Sequence, residues 1–210
     1  MHTKGSDKML AEISEKLSKY LVKKDVVELE RQEVYTYGFN LIISTGFSVV
    51  TVLLISSLLI NFFAGVAFLV VMMSIRFFCG GYHCSMYLKC WLVTNGIAFF
   101  TFLVIRIIPQ NSFLVSAVML IISLLSAACI FVCSPVENSN NPHSEKTRQK
   151  NKHISYVFTA IYLAFEIFGF IFFRQTNIFT LFSAISAALA VVAILLLAEI
   201  VKRRCKYGNS

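Results

Sequence analysis

The sequence predicts an all-α, polytopic membrane protein with about six transmembrane helices and an N-terminal amphipathic interfacial helix. The chain has 210 residues, of which 57% are hydrophobic and 14% are charged, whereas an ordinary soluble domain is roughly one quarter charged. Its mean hydropathy is +0.73, and all 20 Phe lie after position 38. A soluble core of this size could not bury such long apolar runs, so the bilayer is the predicted solvent.

The N-terminal segment, residues 1–38, is polar and charged. Residues 6–33 place apolar side chains three and four positions apart, which is typical of an amphipathic helix. The segment lacks the features of a cleavable signal peptide, so we expect the first span to direct insertion. One interpretation is a helix on the cytoplasmic leaflet that docks a partner, and the other is an anchor without recognition. The apolar positions are Met9, Leu10, Ile13, Leu17, Tyr20 and Leu21.

Six apolar segments follow the N-terminal segment. Most are close to the ~20 residues that cross a hydrocarbon core of ~30 Å. The second is shorter and is the weakest predicted span, which either crosses a locally thinned bilayer or enters without fully crossing. The segments comprise residues 39–59, 62–78, 91–108, 113–133, 154–173 and 178–201.

The distribution of Lys and Arg predicts the topology. Of the 19 basic residues, seven precede position 38, four lie at 146–152 and four follow position 201. Arg76 and Lys89 flank the gap between the second and third spans, and only Arg106 and Arg174 are left for the other side. Six spans then place every basic cluster on one side, which the positive-inside rule makes cytoplasmic. We therefore expect a multi-pass cell-membrane protein with both termini and residues 79–90 in the cytoplasm.

The spans also set the predicted domain boundaries. Residues 1–38 are a cytoplasmic amphipathic segment, residues 39–201 form the membrane domain, and residues 202–210 are a basic cytoplasmic tail. Inside the membrane domain, the Asn-rich stretch 134–153 with its two prolines predicts a hydrated cytoplasmic loop rather than a helix. The net charge of +8 does not indicate nucleic-acid binding, because the basic residues cluster beside the spans.

One short stretch, residues 76–90, concentrates the residues that carry chemistry. It reads RFFCGGYHCSMYLKC and contains three Cys, one His, one Arg and a Gly pair, although a plain linker with a chance cluster is the alternative. A thiolate is a nucleophile, and a nearby imidazole can take its proton and return one to a leaving amine. His83 with any one of Cys79, Cys84 and Cys90 would supply that chemistry, and the spacing leaves all three open.

The spacing of His83 and Cys90 makes a structural prediction. Seven residues on a straight helix put two side chains on one face but ~10.5 Å apart along the axis. A hydrogen bond between them needs ~3 Å. If the two cooperate, the stretch cannot be one continuous helix, and we expect a break near Gly80 and Gly81.

An Arg, six residues, a His, six residues and a Cys, with a Gly two positions before the His, resemble the signature of the accessory gene regulator protein B (AgrB) family. Arg76, Gly81, His83 and Cys90 match that signature position by position. The charged N-terminal segment, the multiple spans and the loop after Val132 are also similar to the family, so the resemblance covers essentially the whole chain.

The resemblance implies a membrane cysteine endopeptidase, so that residues 39–201 would be a six-helix peptidase domain. It would cleave off the C-terminal part of a quorum-sensing autoinducing peptide precursor through an acyl-enzyme thioester and promote (thio)lactone ring formation. His83 would be the general base and Cys90 the nucleophile, without a metal or other cofactor. Arg76 and Gly81 would bind substrate or support the oxyanion, although Arg76 could also simply snorkel at the membrane surface. The expected partners are the precursor peptide and the lipid bilayer, and the few spans are compatible with a homodimer.

A small membrane transporter or channel is one alternative class. Glu166 lies within the fifth span, where a carboxylate is costly and therefore a functional candidate. It could instead pair with Arg174 or be neutral and hydrogen-bonded. No second charged residue lies deep in a span and no inverted repeat is apparent.

A membrane metal or redox protein is the other alternative class. Its site would use Cys79, His83, Cys84 and Cys90, with Cys79 and His83 on one helical face. The set lacks a CxxC pair and a second clustered His, both of which are common in such sites.

Overall fold

The structure, a computed structural model, describes residues 3–80, 87–109, 112–136, 144–173 and 178–207. All regular secondary structure in these ranges is helical, which confirms the predicted all-α class. The α-helices are α1 (Thr3–Lys23), α2 (Gln32–Leu59), α3 (Phe62–Cys79), α4 (Tyr87–Ile107), α5 (Phe113–Cys133), α6 (Glu145–Phe172) and α7 (Phe179–Tyr207).

Each of the six predicted apolar segments falls on a helix of its own, from α2 to α7. Among the described residues, 5 helices are long and apolar enough to cross a membrane, and α4 has a shorter apolar stretch, Trp91–Ile107. The second span, predicted to be the weakest, forms the 18-residue α3 and is one of the five. The chain is therefore a multi-pass, all-helical membrane protein.

The N-terminal amphipathic helix is shorter than predicted. One helix over residues 6–33 is wrong beyond Lys23, because α1 ends there in a Schellman motif. The N–H of Val26 donates to the Leu21 carbonyl at 3.1 Å, and the N–H of Asp25 donates to the Val22 carbonyl at 3.0 Å. Asp25 has φ 54, a left-handed conformation that Asp adopts more readily than most residues. A short 3-10 helix, residues 29–31, then leads into α2.

The apolar stripe of α1 is largely uncovered, and the buried positions of this helix include two serines. Ser14 and Ser18 have at most 1% of their surface exposed, and Ser18 Oγ lies 2.7 Å from Thr36 Oγ1 of α2. The stripe is left to contact lipid or a partner, as either interpretation of this segment requires. Its exposed members are Met9, Ile13, Leu17 and Tyr20, whereas Leu10 and Leu21 are half-buried.

The loop predicted over residues 134–153 is wrong in its second half, because α6 begins at Glu145. Ser144 is the N-cap residue, and its Oγ accepts a hydrogen bond from the N–H of Thr147 at 3.4 Å. Glu145 also forms an ion pair with Arg148 at 3.3 Å. These contacts satisfy groups of the first helical turn and outweigh the polar composition. At the other end of the chain, α7 extends through the described part of the predicted basic tail.

The chain forms two compact units. The first comprises Met1–Val52 and His83–Ile97, and the second comprises Leu53–Tyr82 and Ala98–Ser210. In the first unit, Phe47 of α2 stacks on Trp91 of α4, with ring centroids 5.5 Å apart. This contact joins the two membrane helices of that unit.

The central helix of the second unit is α7, which packs against α3, α5 and α6. In its most apolar stretch 67% of the residues are buried, compared with 11% in that of α2. Gly169 of α6 allows one close contact, since a Cβ at this position would overlap the ring of Phe182. Small side chains let membrane helices approach each other, and the buried small residues of α7 include Ser183, Ala184, Ser186, Ala188 and Ala193.

Arg106, in the last turn of α4, caps the end of α2. Its Nη1 donates to the carbonyls of Leu58 and Leu59 at 3.1 and 3.2 Å. The last carbonyls of a helix have no partner within the helix, and a cation near them is favourable. The C-terminal ends of α2 and α4 therefore lie side by side.

Candidate active site

The reactive segment, residues 76–90, begins in α3 and ends in α4. Arg76 lies half-buried in the last turn of α3, and the backbone of Cys90 is in the first turn of α4. Gly81, His83 and Cys84 lie outside the described residues. Arg76 belongs to the second compact unit and Cys90 to the first.

The α3 helix ends where the Gly pair predicts a break. Gly80 follows the helix with φ 72 and ψ −157, a conformation that is essentially restricted to Gly. Its N–H donates to the Arg76 carbonyl at 3.1 Å. Because α3 ends at Cys79 and Gly80 is not helical, the prediction that the segment is not one continuous helix is confirmed. His83, which the metal interpretation placed on one helical face with Cys79, lies outside the described residues.

Cys79, the last residue of α3, is enclosed. None of its surface is exposed, and its Sγ accepts a hydrogen bond from Ser134 Oγ at 3.1 Å. Ser134 Oγ lies in turn 2.9 Å from Ser155 Oγ of α6. A peptide carbonyl cannot approach a thiol without exposed surface, so we interpret Cys79 as a packing residue.

The second half of α3 packs along one face of α6, a contact that sequence reasoning missed. Ser74 Oγ lies 2.8 Å from the hydroxyl of Tyr162, and the ring of Phe78 stacks on that of Phe158 at 5.8 Å. Together with Ser155, these contacting residues of α6 are three and four positions apart, which places them on one face of the helix. That spacing in the sequence indicates a contact face, but it does not identify α3 as the neighbouring helix.

Glu166 lies in the contact between α6 and α7. Its residue surface is 1% exposed, and its Oε1 has no hydrogen-bond partner among the described residues. The carboxyl lies beside the backbone of Ser186, whose own Oγ donates to the Met119 carbonyl at 2.8 Å. Arg174, the partner considered from the sequence, is outside the described residues.

The described residues contain no group of three His, Cys, Asp or Glu side chains that could hold a metal ion. The side chains of His83, Cys84 and Cys90 are not among those described. The three described thiols that are free belong to Cys79, Cys129 and Cys133.

These features define a class of protein. The chain is a multi-pass, all-helical membrane protein. Its reactive segment, which runs from the end of α3 into α4, carries a Gly pair, one His and three Cys.

The chain belongs to the accessory gene regulator B family, whose model matches residues 14–197. The match covers most of the chain and includes the whole reactive segment, which confirms the resemblance seen in the sequence. The family is known for quorum sensing, where it works with the precursor peptide of a pheromone. No curated protein and no solved structure matches the chain.

Proposed function

We propose that this protein is a membrane-embedded cysteine endopeptidase that cleaves a quorum-sensing peptide precursor and promotes closure of a thiolactone or lactone ring. The observation that carries the proposal is the family match over residues 14–197. That match contains Arg76, Gly81, His83 and Cys90 at their signature spacing. His83 is the proposed general base and Cys90 the proposed nucleophile.

The surroundings of Cys79 and the backbone position of Cys90 support this assignment. Cys79 is fully buried and hydrogen-bonded, which leaves Cys84 and Cys90 as candidates. The backbone of Cys90 lies in the first turn of α4. The N–H groups of a first turn have no helical partner and stabilise nearby negative charge, which suits a nucleophile that reacts as a thiolate.

In the first chemical step, His83 takes the proton of Cys90, and the thiolate attacks a peptide carbonyl of the precursor. The carbon–nitrogen bond breaks, and the protonated imidazole returns its proton to the leaving amine. The C-terminal part of the precursor departs with a free amino group. The N-terminal part stays attached to Cys90 as a thioester.

The second step releases the acyl group from Cys90. An internal thiol of the precursor can attack the thioester and close a thiolactone, which exchanges one thioester for another. An internal hydroxyl would give a lactone, and water would give a linear carboxylic acid. Excluding water from the acyl-enzyme therefore favours the ring product.

Arg76 and Gly81 are proposed to bind substrate or to support the oxyanion. Arg76 lies half-buried one turn before the end of α3, where a guanidinium can donate to a carboxylate or to a developing oxyanion. Gly81 lacks a side chain and would let the substrate approach the backbone closely.

The proposed orientation places both termini and the reactive segment in the cytoplasm, following the distribution of Lys and Arg. The precursor would meet the enzyme on that side. The proposed partners are the precursor peptide, the lipid bilayer and, in a homodimer, a second copy of the chain.

The test is reconstitution of the purified protein in liposomes with the short precursor encoded beside its gene. Mass spectrometry should detect the released C-terminal peptide and an adduct that adds the mass of the N-terminal part to the protein. Neutral hydroxylamine should remove that adduct, because it cleaves thioesters. A wild-type protein that is folded and yet releases no fragment would contradict the proposal.

A further inference from the structure

The end of α3 is tied to the chain that follows α5. The N–H of Val136 donates to the Cys79 carbonyl at 2.9 Å, and Ser134 Oγ donates to Cys79 Sγ at 3.1 Å. The carbonyls of the last helical turn lack partners within the helix. Here one of them finds its partner in a segment that is distant in sequence, so the end of α3 is held by residues 134–136.

Ser134 also links α3 to α6. Its Oγ lies 2.9 Å from Ser155 Oγ, and all three side chains in this contact, including that of Cys79, are buried. A hydroxyl has one proton, so donation from Ser134 to Cys79 makes Ser155 the donor to Ser134. The carbonyl of Lys152, 2.9 Å from Ser155 Oγ, is the competing acceptor for that proton.

Gly80 passes directly against the same residues. A Cβ at position 80 would overlap the Val136 carbonyl oxygen, and φ is +72. The direction in which the chain leaves α3 is therefore set both by the conformation of Gly80 and by the position of Val136. The reactive segment continues from this point toward His83.

We propose that Ser134 is a positioning residue for the reactive segment: by joining Cys79 to Ser155 it fixes the end of α3, from which the segment departs. This inference rests on the proposed function. Ser134 does not touch the reacting atoms and acts through Cys79 and Gly80. A shift of ~1 Å in catalytic groups can cost ~10²-fold in rate, so a small movement at this point has a measurable effect.

The kinetic test compares Ser134→Ala with the wild type in liposomes that contain the precursor. Ala removes the hydroxyl and both of its contacts without adding volume. We expect kcat to fall about tenfold while KM stays within about twofold, because the binding surface for the precursor is unchanged. Ser155→Ala should lower kcat in the same direction, since it removes the link from the α6 side.

The matched control is Ser126→Ala. Ser126 is also a buried serine, and its Oγ donates to the Ile122 carbonyl within α5 at 2.7 Å. This hydrogen bond lies within α5 and does not involve the end of α3. Its kcat should remain at the wild-type value.

A second measurement reports on the contact without any need for activity. In the full chain with Cys84, Cys90, Cys129, Cys133 and Cys205 replaced by Ala, only Cys79 can react with a maleimide. Ser134→Ala in this background should increase the labelling rate of Cys79 several-fold, and Ser126→Ala should not.

Wild-type kcat in folded Ser134→Ala protein would overturn the positioning role, whether or not the labelling of Cys79 changes. Equal losses in Ser134→Ala and Ser126→Ala would also overturn it, because any buried serine would then have the same effect. A wild-type protein that cleaves no precursor would instead contradict the proposed function, and the labelling of Cys79 would still report on the contact. The two failures are therefore distinguishable.

Discussion

A cysteine lies at or near each end of the reactive segment, and we propose different roles for the two. Cys79 closes α3 with no exposed surface and accepts a hydrogen bond from Ser134. Cys90 lies in the first turn of α4, where backbone N–H groups stabilise negative charge. A buried thiol such as that of Cys79 contributes packing, whereas the proposed role of Cys90 requires a thiolate. The surroundings of Cys79 therefore separate it from the proposed nucleophile.

The largest expected effect comes from removing the proposed catalytic pair. Cys90→Ala and His83→Ala should each abolish cleavage of the precursor while the protein still inserts and accumulates. One lacks the nucleophile, and the other lacks the base. Because the two residues act as a unit, the double variant should be hardly worse than either single one. Fragment release measured by mass spectrometry, normalised to protein abundance, checks this prediction.

Cys84→Ala is the matched control for that pair and should keep most of the activity. If Cys84→Ala is inactive while Cys90→Ala still cleaves, the alignment to the family signature is wrong by six residues. The pair of His83 and Cys84 would then carry the chemistry.

The next largest effect is expected at Gly80, where the α3 end of the segment is fixed. In Gly80→Ala, the native backbone would require Ala to keep a positive φ, at a cost of ~1–3 kcal/mol, and its Cβ would also overlap the Val136 carbonyl oxygen. We expect most of the cleavage rate to be lost. Initial rates per folded protein are the measurement. Gly96→Ala in α4 is the control, since a Cβ there has open space, and an equal loss in both variants would count against a fixed end of α3.

A smaller effect is expected for Cys79→Ala. Cleavage should fall no further than in Ser134→Ala and should not be abolished as in Cys90→Ala. Ala removes the Sγ that accepts from Ser134, but it keeps the backbone carbonyl that accepts from Val136, and the thiol is not the proposed nucleophile. The lost hydrogen bond is worth ~1 kcal/mol, so the thermal midpoint in detergent should fall by a few degrees at most. Complete loss of cleavage by folded Cys79→Ala protein would remove the contrast between the two cysteines.

The comparison also assumes that both ends of the reactive segment face the cytoplasm. For a probe on that side, we expect no labelling from outside the cell. A single cysteine placed at Ser144, in a background without other cysteines, should stay unlabelled by an impermeant maleimide added outside intact cells. The same probe should react after the membrane is opened. Strong labelling from outside would reverse the predicted topology.

Much of the fold could be read from the sequence because hydropathy and helix spacing are local. The fourth apolar segment, 113–133, coincides with α5, and the Gly pair correctly predicted the end of α3. Asp25 could not be read as a helix end, since its left-handed conformation appears only with the hydrogen bonds of the Schellman motif. At Glu145, composition favoured a loop, and a capping serine favoured a helix.

The candidate site was only partly readable. The signature residues follow from their spacing, but the contact of Cys79 with Ser134 joins positions that are far apart in the sequence. No periodicity links such positions, because the contact depends on where the end of α5 lies against the end of α3. The sequence therefore indicated three candidate nucleophiles, and the burial of Cys79 argues against one of them.

The capping of α2 by Arg106 has a consequence for the lipid. Since α2 and α4 finish side by side, an α3 that crosses the bilayer, as its length and composition allow, would return the chain between them. With 18 residues, α3 is only ~27 Å long, less than the ~30 Å of an average hydrocarbon core. A span of this length is accommodated by local thinning of the bilayer, by snorkelling of flanking side chains or by oligomerisation.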